Sequence, residues 1–193
     1  MEDLQQVSSL VSGSKPAPGA LAFVQAFVDT VDYEPGREAL GNPEQLRGWL
    51  VDHGLLAANA RVTGADFRRA IELREALRGL VVGNTQAEPE PGAVETLNRV
   101  ASRARLFVRF QPDGRSQLQP AAPGVDGALG RLLAIVFAAM VDGSWSRLKV
   151  CRNDACRWVF YDASKNRSGA WCTMADCGND AKVRSYRQRQ RTG

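Results

Sequence analysis

CRNDACRWVFYDASKNRSGAWCTMADCGND (residues 151–180) contains all four cysteines of the chain, as Cys151-x4-Cys156, fifteen residues, then Cys172-x4-Cys177. Each short spacing lets two sulfurs turn onto one ion, and four thiolates complete the tetrahedron of a structural zinc site. Four thiolates leave no open position, so the ion expected is structural, not catalytic. Free thiols and an iron–sulfur cluster are the alternatives; clustered cysteines in a reducing compartment point to metal. Between the pairs, Arg157-Trp158-Val159-Phe160-Tyr161-Asp162 is β-prone, Ser164 to Gly169 is turn-like, and Trp171 leads back to the metal. A hairpin between the two pairs is the expectation. A module of about 40 residues buries little apolar surface, so the ion carries much of its stability.

The residues after Cys177 read as a basic helix. On a wheel of about 100° per residue, Val183 and Tyr186 share a face suited to pack on the zinc hairpin near Trp158 or Phe160. Lys182 and Arg189 flank that face on one side, and Arg184, Arg187 and Arg191 lie toward the other. Ala181, Ser185 and Gln188 lie opposite. Basic side chains suit phosphates, and small or amide side chains suit base edges. The candidate nucleic-acid contacts are therefore Lys182, Arg184, Ser185, Arg187, Gln188, Arg189 and Arg191, with Lys165 and Arg167 from the loop. A solvated basic helix end is the bland alternative.

Charge is divided along the chain. Residues 147–193 carry eleven Lys/Arg and four Asp/Glu, a net of +7, and the other 146 residues carry 14 and 17, a net of −3. Together they give the formal +4 of the whole chain. A mildly acidic body with a basic terminal module points to a polyanionic partner for the module.

The body reads as mainly helical. Residues 1–18 are rich in Ser, Gly and Pro and read as a flexible N-terminus. Leu21, Phe23, Val24, Phe27, Val28 and Val31 recur at helical spacing, placing a buried helix over 20–31, followed by a loop from Asp32 to Gly41. Asn42 and Pro43 open the next helix, which carries Leu46, Trp49 and Leu50 and ends at Gly54. Thr63 and Asp66 form a capping box for a helix over about 65–83, with Glu72 pairing with Arg68 or Arg69 and Glu75 with Arg78. A short helix follows over 93–104. Leu106 to Phe110 and Ser116 to Gln119 read as a hairpin about Pro112-Asp113-Gly114. Val125 to Val141, with Leu129, Leu132, Leu133, Val136, Phe137 and Met140, reads as the central core helix. His53 reads as a polar residue near a helix end, and Phe23, Phe27 and Trp49 as core, a ligand pocket being the alternative.

The fold class expected is α+β, mainly α with a β-hairpin. A helical domain over 19–145 precedes a small four-cysteine zinc module, a β-hairpin with a basic helix, over 146–193. The apolar fraction of 44% and charged fraction of 24% are ordinary for a globular chain. No apolar run of membrane-spanning length is read, and the start Met1-Glu2-Asp3-Leu4 lacks the pattern of a signal peptide, so a cytoplasmic location is expected. No phosphate loop, nucleophile elbow or telling carboxylate pair stands out, so a non-catalytic role is expected.

The run Cys151-x4-Cys156-Arg157-Trp158-x-Phe160-Tyr161-Asp162-x-Ser164-Lys165-Asn166-Arg167-Ser168, with Trp171-Cys172-x-Met174-Ala175-x-Cys177-Gly178-Asn179, resembles the CGNR zinc finger family of bacterial proteins. The body resembles the ABATE domain often fused to it, through Phe27-Val28-Asp29-Thr30, Leu46-x2-Trp49-Leu50-x3-Gly54-Leu55 and Leu73-Arg74-Glu75-Ala76-Leu77-Arg78. The resemblance implies one structural zinc ion on the four cysteines and a role in stress-induced transcription, with double-stranded DNA as the partner. A protein-interaction or RNA-binding adaptor is the alternative. A small-molecule effector or protein partner at the helical domain, and a homodimer, are compatible with it. Two departures stand out: Asp180 occupies the place of the family's signature arginine, and Gly169-Ala170 stand where basic residues are common.

Overall fold

The computed structural model describes residues 15–34, 36–85 and 88–192, with backbone alone at 185, 188, 191 and 192. Helices α1 (Leu21–Val28), α2 (Pro43–Asp52), α3 (Gly64–Val82), α4 (Ala93–Ala104), α5 (Gly124–Val141) and α6 (Asn179–Thr192) are interrupted by short strands that come in consecutive pairs. These are β1 (Val31–Asp32), β2 (Arg37–Glu38), β3 (Leu106–Phe110), β4 (Ser116–Pro120), β5 (Leu148–Val150) and β6 (Val159–Tyr161), paired as antiparallel hairpins β1–β2, β3–β4 and β5–β6. The mainly helical α+β class is the one expected. Of the N-terminal stretch read as flexible, residues 1–14 lie outside the described residues.

The helix starts obey local chemistry. Asn42 accepts the Gln45 N–H at 3.0 Å while Pro43 fills the first turn, where a missing N–H costs nothing. Thr63 accepts the Asp66 N–H at 3.2 Å, and the Asp66 carboxylate accepts the Thr63 N–H at 2.8 Å, closing the capping box. Helix α1 is shorter than expected and stops at Val28, and the stretch read as a loop holds the β1–β2 hairpin. Glu75 pairs with Arg78 as expected, but Glu72 reaches across to Arg99 at 4.0 Å, and Arg69 turns to Asp66 and Asp126.

The core forms where α1, α3 and α5 meet. Phe27, Leu73, Leu77, Leu129 and Leu132 are fully buried there, each stabilising by about 1.5–3 kcal/mol relative to exposure. Phe27 packs on Trp49 at 5.3 Å, Trp49 stacks on His53 at 3.9 Å, and His53 caps the C-terminus of α2. These aromatics are therefore core. At Gly130, an added Cβ would lie 2.6 Å from the Ala104 Cβ and 2.9 Å from the Pro120 Cβ, so only glycine lets α5 approach α4 and β4 this closely. Phe137 and Met140 correct the expectation for α5: they lie on its outer face and are half-exposed. Helix α5 is long and apolar enough to cross a membrane, with mean hydropathy 1.7 over 18 residues, but half of it is buried as this core.

The C-terminal hairpin also differs from its expectation. β6 pairs not with a strand after Ser164 but with β5, in the register Leu148↔Tyr161, Lys149↔Phe160 and Val150↔Val159. The period-2 alternation of a strand then serves two cores. Leu148 and Val159, with Val150 and Tyr161, join the core of the body, while Phe160 covers the cysteine cluster from the other face.

Candidate metal centre and basic helix

The first cysteine pair sits in the turn that links β5 to β6. Cys151 donates its N–H to Trp158 O at 2.8 Å, and Asn153 O accepts the N–H groups of Cys156 and Arg157 at 2.9 and 3.0 Å. Arg157 closes this turn in the left-handed region, with φ of 51°. The second pair opens on Thr173, whose hydroxyl accepts the Asp176 N–H at 3.1 Å and launches a wide π-type turn over Met174–Gly178. A Cβ at Gly178 would fall 2.8 Å from the Met174 sulfur and 3.3 Å from Thr173 O, so a larger residue there would displace the Met174 side chain. α6 follows directly.

All four Sγ atoms lie within 4.8 Å of one another, and Cys156 and Cys172 are 3.8 Å apart. Metal–sulfur bonds of about 2.3 Å in a tetrahedron place sulfurs about 3.8 Å apart, so the donor set fits one four-coordinate soft ion. Cys151, Cys172 and Cys177 are buried and Cys156 is half-buried. Asn153 donates to the Cys177 sulfur at 3.5 Å, the outer-shell contact that orients a thiolate ligand. The crowded sulfurs compete for protons. Hydrogen bonds from Cys156 and Cys172 push the Cys151 thiol down, and the same contacts push Cys156 and Cys172 up, Cys172 to about 12. A divalent cation relieves that competition by holding all four as thiolates.

Polar side chains absent from the sequence-based site hold the centre in place. Lys149 and Asp162 form a buried ion pair at 2.8 Å beneath the 163–170 loop. Asp162 also accepts the N–H groups of Ser164 at 3.0 Å and Gly169 at 2.7 Å, while Lys149 donates to the carbonyls of Arg167 and Gly169. A Cβ at Gly169 would meet the Asp162 carboxyl at 2.8 Å, which accounts for glycine at one of the two departures in this loop. Arg78, also buried, donates to Val28 O and, at 2.7 Å, to Arg157 O, tying α3 to the end of α1 and to the first cysteine turn. Gln25 accepts the Ala17 N–H at 2.7 Å and donates to Val159 O at 3.0 Å. Lys15 O in turn accepts the Tyr161 N–H at 2.9 Å, so the chain before α1 straps β6 to the body. The sequence signal that could have found them is polar residues at helical spacing among apolar ones, Gln25 in α1 and the pair Arg74 and Arg78 in α3.

Lys182, Arg184, Arg187 and Arg189 are exposed on α6, and Lys165 and Arg167 are exposed on the loop. Arg167 donates to the Ser146 hydroxyl at 3.3 Å. The side chains of Ser185, Gln188 and Arg191 lie outside the described ones. Val183 and Tyr186 do not pack on the hairpin; they are 39% and 59% exposed. α6 rests mainly on the π-type turn. Asp180 lies exposed in its first turn, where the helix dipole favours a carboxylate. With Asp32, Glu34 and Asp176 it lines a cavity of about 330 Å³ beside Cys156, Cys172 and Cys177.

No curated protein matches the chain. Two family models match it. ABATE, described as "Putative stress-induced transcription regulator", covers residues 7–143, and the CGNR zinc finger covers residues 147–190. The second match begins just before β5 and takes in both cysteine turns and most of α6. With most of its length in the first match and its metal-binding cysteines in the second, the chain belongs to the ABATE family and carries a CGNR zinc finger at its C-terminal end.

Proposed function

We propose that this chain is a non-catalytic cytoplasmic transcription regulator that binds duplex DNA through α6, with one structural zinc ion on its four cysteines. The observation that carries this reading is the placement of α6. The helix leaves the second cysteine turn and presents Lys182, Arg184, Arg187 and Arg189 to solvent. Exposed cations on one terminal helix suit the phosphates flanking a groove. Lys165 and Arg167 add phosphate contacts from the loop. Ser185, Gln188 and Arg191 belong to the same helix and complete the proposed contact set.

Fluorescence anisotropy with zinc-loaded protein and labelled duplex DNA across a salt series tests the reading. Arg184→Ala and Arg187→Ala should each weaken binding to all duplexes and reduce the salt slope by about 1. No binding at low salt by the zinc-loaded protein would overturn it.

One observation favours a second reading, that of an RNA- or protein-binding adaptor. Tyr186 and Val183 are left exposed on the same helix. An exposed aromatic beside arginines suits stacking on an unpaired base, and the acid-lined cavity at the start of α6 disfavours phosphate there. Recovery of a stoichiometric RNA or protein partner, without DNA, would support it.

A further inference from the structure

We propose that the free edge of β3 is a homodimer interface, where two copies of this chain pair β3 with β3 antiparallel about Val108. Among the described residues, strand β3 is hydrogen-bonded to β4 alone, and it is β4 that lies against α5. The ladder shows which groups the open edge presents. Gln111 donates to Arg115 O at 2.7 Å, and Arg105 O accepts the Ala121 N–H at 3.2 Å. Alternate residues of an antiparallel strand turn N–H and C=O to the same side. Phe107 and Arg109 therefore face β4, and Leu106, Val108 and Phe110 offer their main-chain groups outward.

That edge is lightly guarded. β3 holds no Lys, Pro, Asp or Glu and only the single charge of Arg109, and Phe107, Val108 and Phe110 are 40%, 56% and 75% exposed. A β-prone, largely apolar edge pairs with other strands unless something covers it.

The sequence of the strand selects a second copy as its cover. Two-fold pairing about Val108 sets Val108 opposite Val108, Leu106 opposite Phe110 and Phe107 opposite Arg109. The outward-facing residues then exchange about six main-chain hydrogen bonds. No like charges meet, and each Arg109 lies beside an aromatic ring of the other copy. The two-fold consumes both open edges, so assembly stops at two chains.

The flanking surface is continuous with this edge. Val108 and Phe110 share a face with their β4 partners Leu118 and Ser116. Those two residues form one wall of an apolar groove of about 680 Å³, whose other wall includes Phe137 and Val141 of α5. A second copy would extend the sheet wall of that groove. The dimer would carry two α6 helices, as suits paired half-sites on a duplex. That consequence rests on the DNA reading, whereas the dimer does not.

Sedimentation velocity on the zinc-loaded full chain, without DNA, from about 1 to about 200 μM reads the association directly. The expected species has twice the 21.0 kDa mass of one chain. Val108→Pro removes an N–H that β4 does not use, so it should give monomers with unchanged helix signal. Val108→Lys sets two ammonium groups opposite each other and should raise the dimer dissociation constant at least about tenfold, while Val108→Thr should leave it unchanged. If the proline disturbs folding, the lysine variant decides. A monomer at every concentration, or a dimer indifferent to Val108→Lys, overturns the proposal.

Discussion

Lys149 and Asp162 show how much of the metal module rests on two side chains that bind no metal. Burial by itself would raise the Asp162 carboxyl, but Lys149 and the N–H groups of Ser164 and Gly169 hold it well below the usual carboxylate range. A carboxyl depressed on folding contributes stability above its unfolded value near 3.8, and that contribution is lost as pH falls toward the folded value. Asp162→Ala leaves the Lys149 ammonium buried without its partner. It should cost about 3–5 kcal/mol at neutral pH, and the cost should shrink on acidification below about pH 4, measured by urea unfolding across pH. Asp29 behaves in the opposite sense. Burial pushes its carboxyl up, against the Val159 N–H and Arg78 at 3.9 Å, and its Oδ2 has no hydrogen-bond partner among the described residues. The sequence marked Asp162 and Asp29 as parts of two family-like runs, and Asp162 also as the end of a β-prone stretch. Their roles depend on partners 13 and 130 positions away, which no local pattern encodes.

At the scale of elements, helices were the most legible parts. Asn42-Pro43 and Thr63-Asp66 state where α2 and α3 begin, because a cap is a contact over three residues. The metal hairpin was less legible. Val159-Phe160-Tyr161 announces a strand, but its partner is Leu148-Lys149-Val150, on the near side of the first cysteine pair. The strand alternation allows either partner; the shared core selects β5, since only that pairing brings Leu148 and Val159 to the body together. α6 matches its expected span but not its expected packing, since Val183 and Tyr186 face solvent. Removing residues 179–193 should therefore abolish the proposed DNA binding yet shift the thermal midpoint by less than about 3 °C. A large loss of stability on truncation would show that α6 supports the fold.

The whole molecule is joined more tightly than the division of its sequence suggests. β5 and β6 place one face in the body core, Gln25 bonds both the strap and Val159, and Arg78 reaches the carbonyl of Arg157 beside Cys156. Metal loss should therefore be felt by the helices. Chelation is expected to lower the midpoint of helix melting by more than about 10 °C, followed by circular dichroism with and without chelator. A body that melts unchanged after chelation would show that the two parts are independent. The sequence by itself determined the four-cysteine ligand set, the helix starts, the basic terminal helix and the mainly helical class, because each depends on spacing within a few turns of chain. Only the tertiary structure decided which strand pairs with β6, that Val183 and Tyr186 of α6 are left uncovered, and that β3 has no second partner strand among the described residues. Those outcomes depend on which surfaces are already buried by distant parts of the chain. For residues 151–180, the sequence supplied the ligands of the metal centre, and packing against α1 and α3 made that centre part of the body.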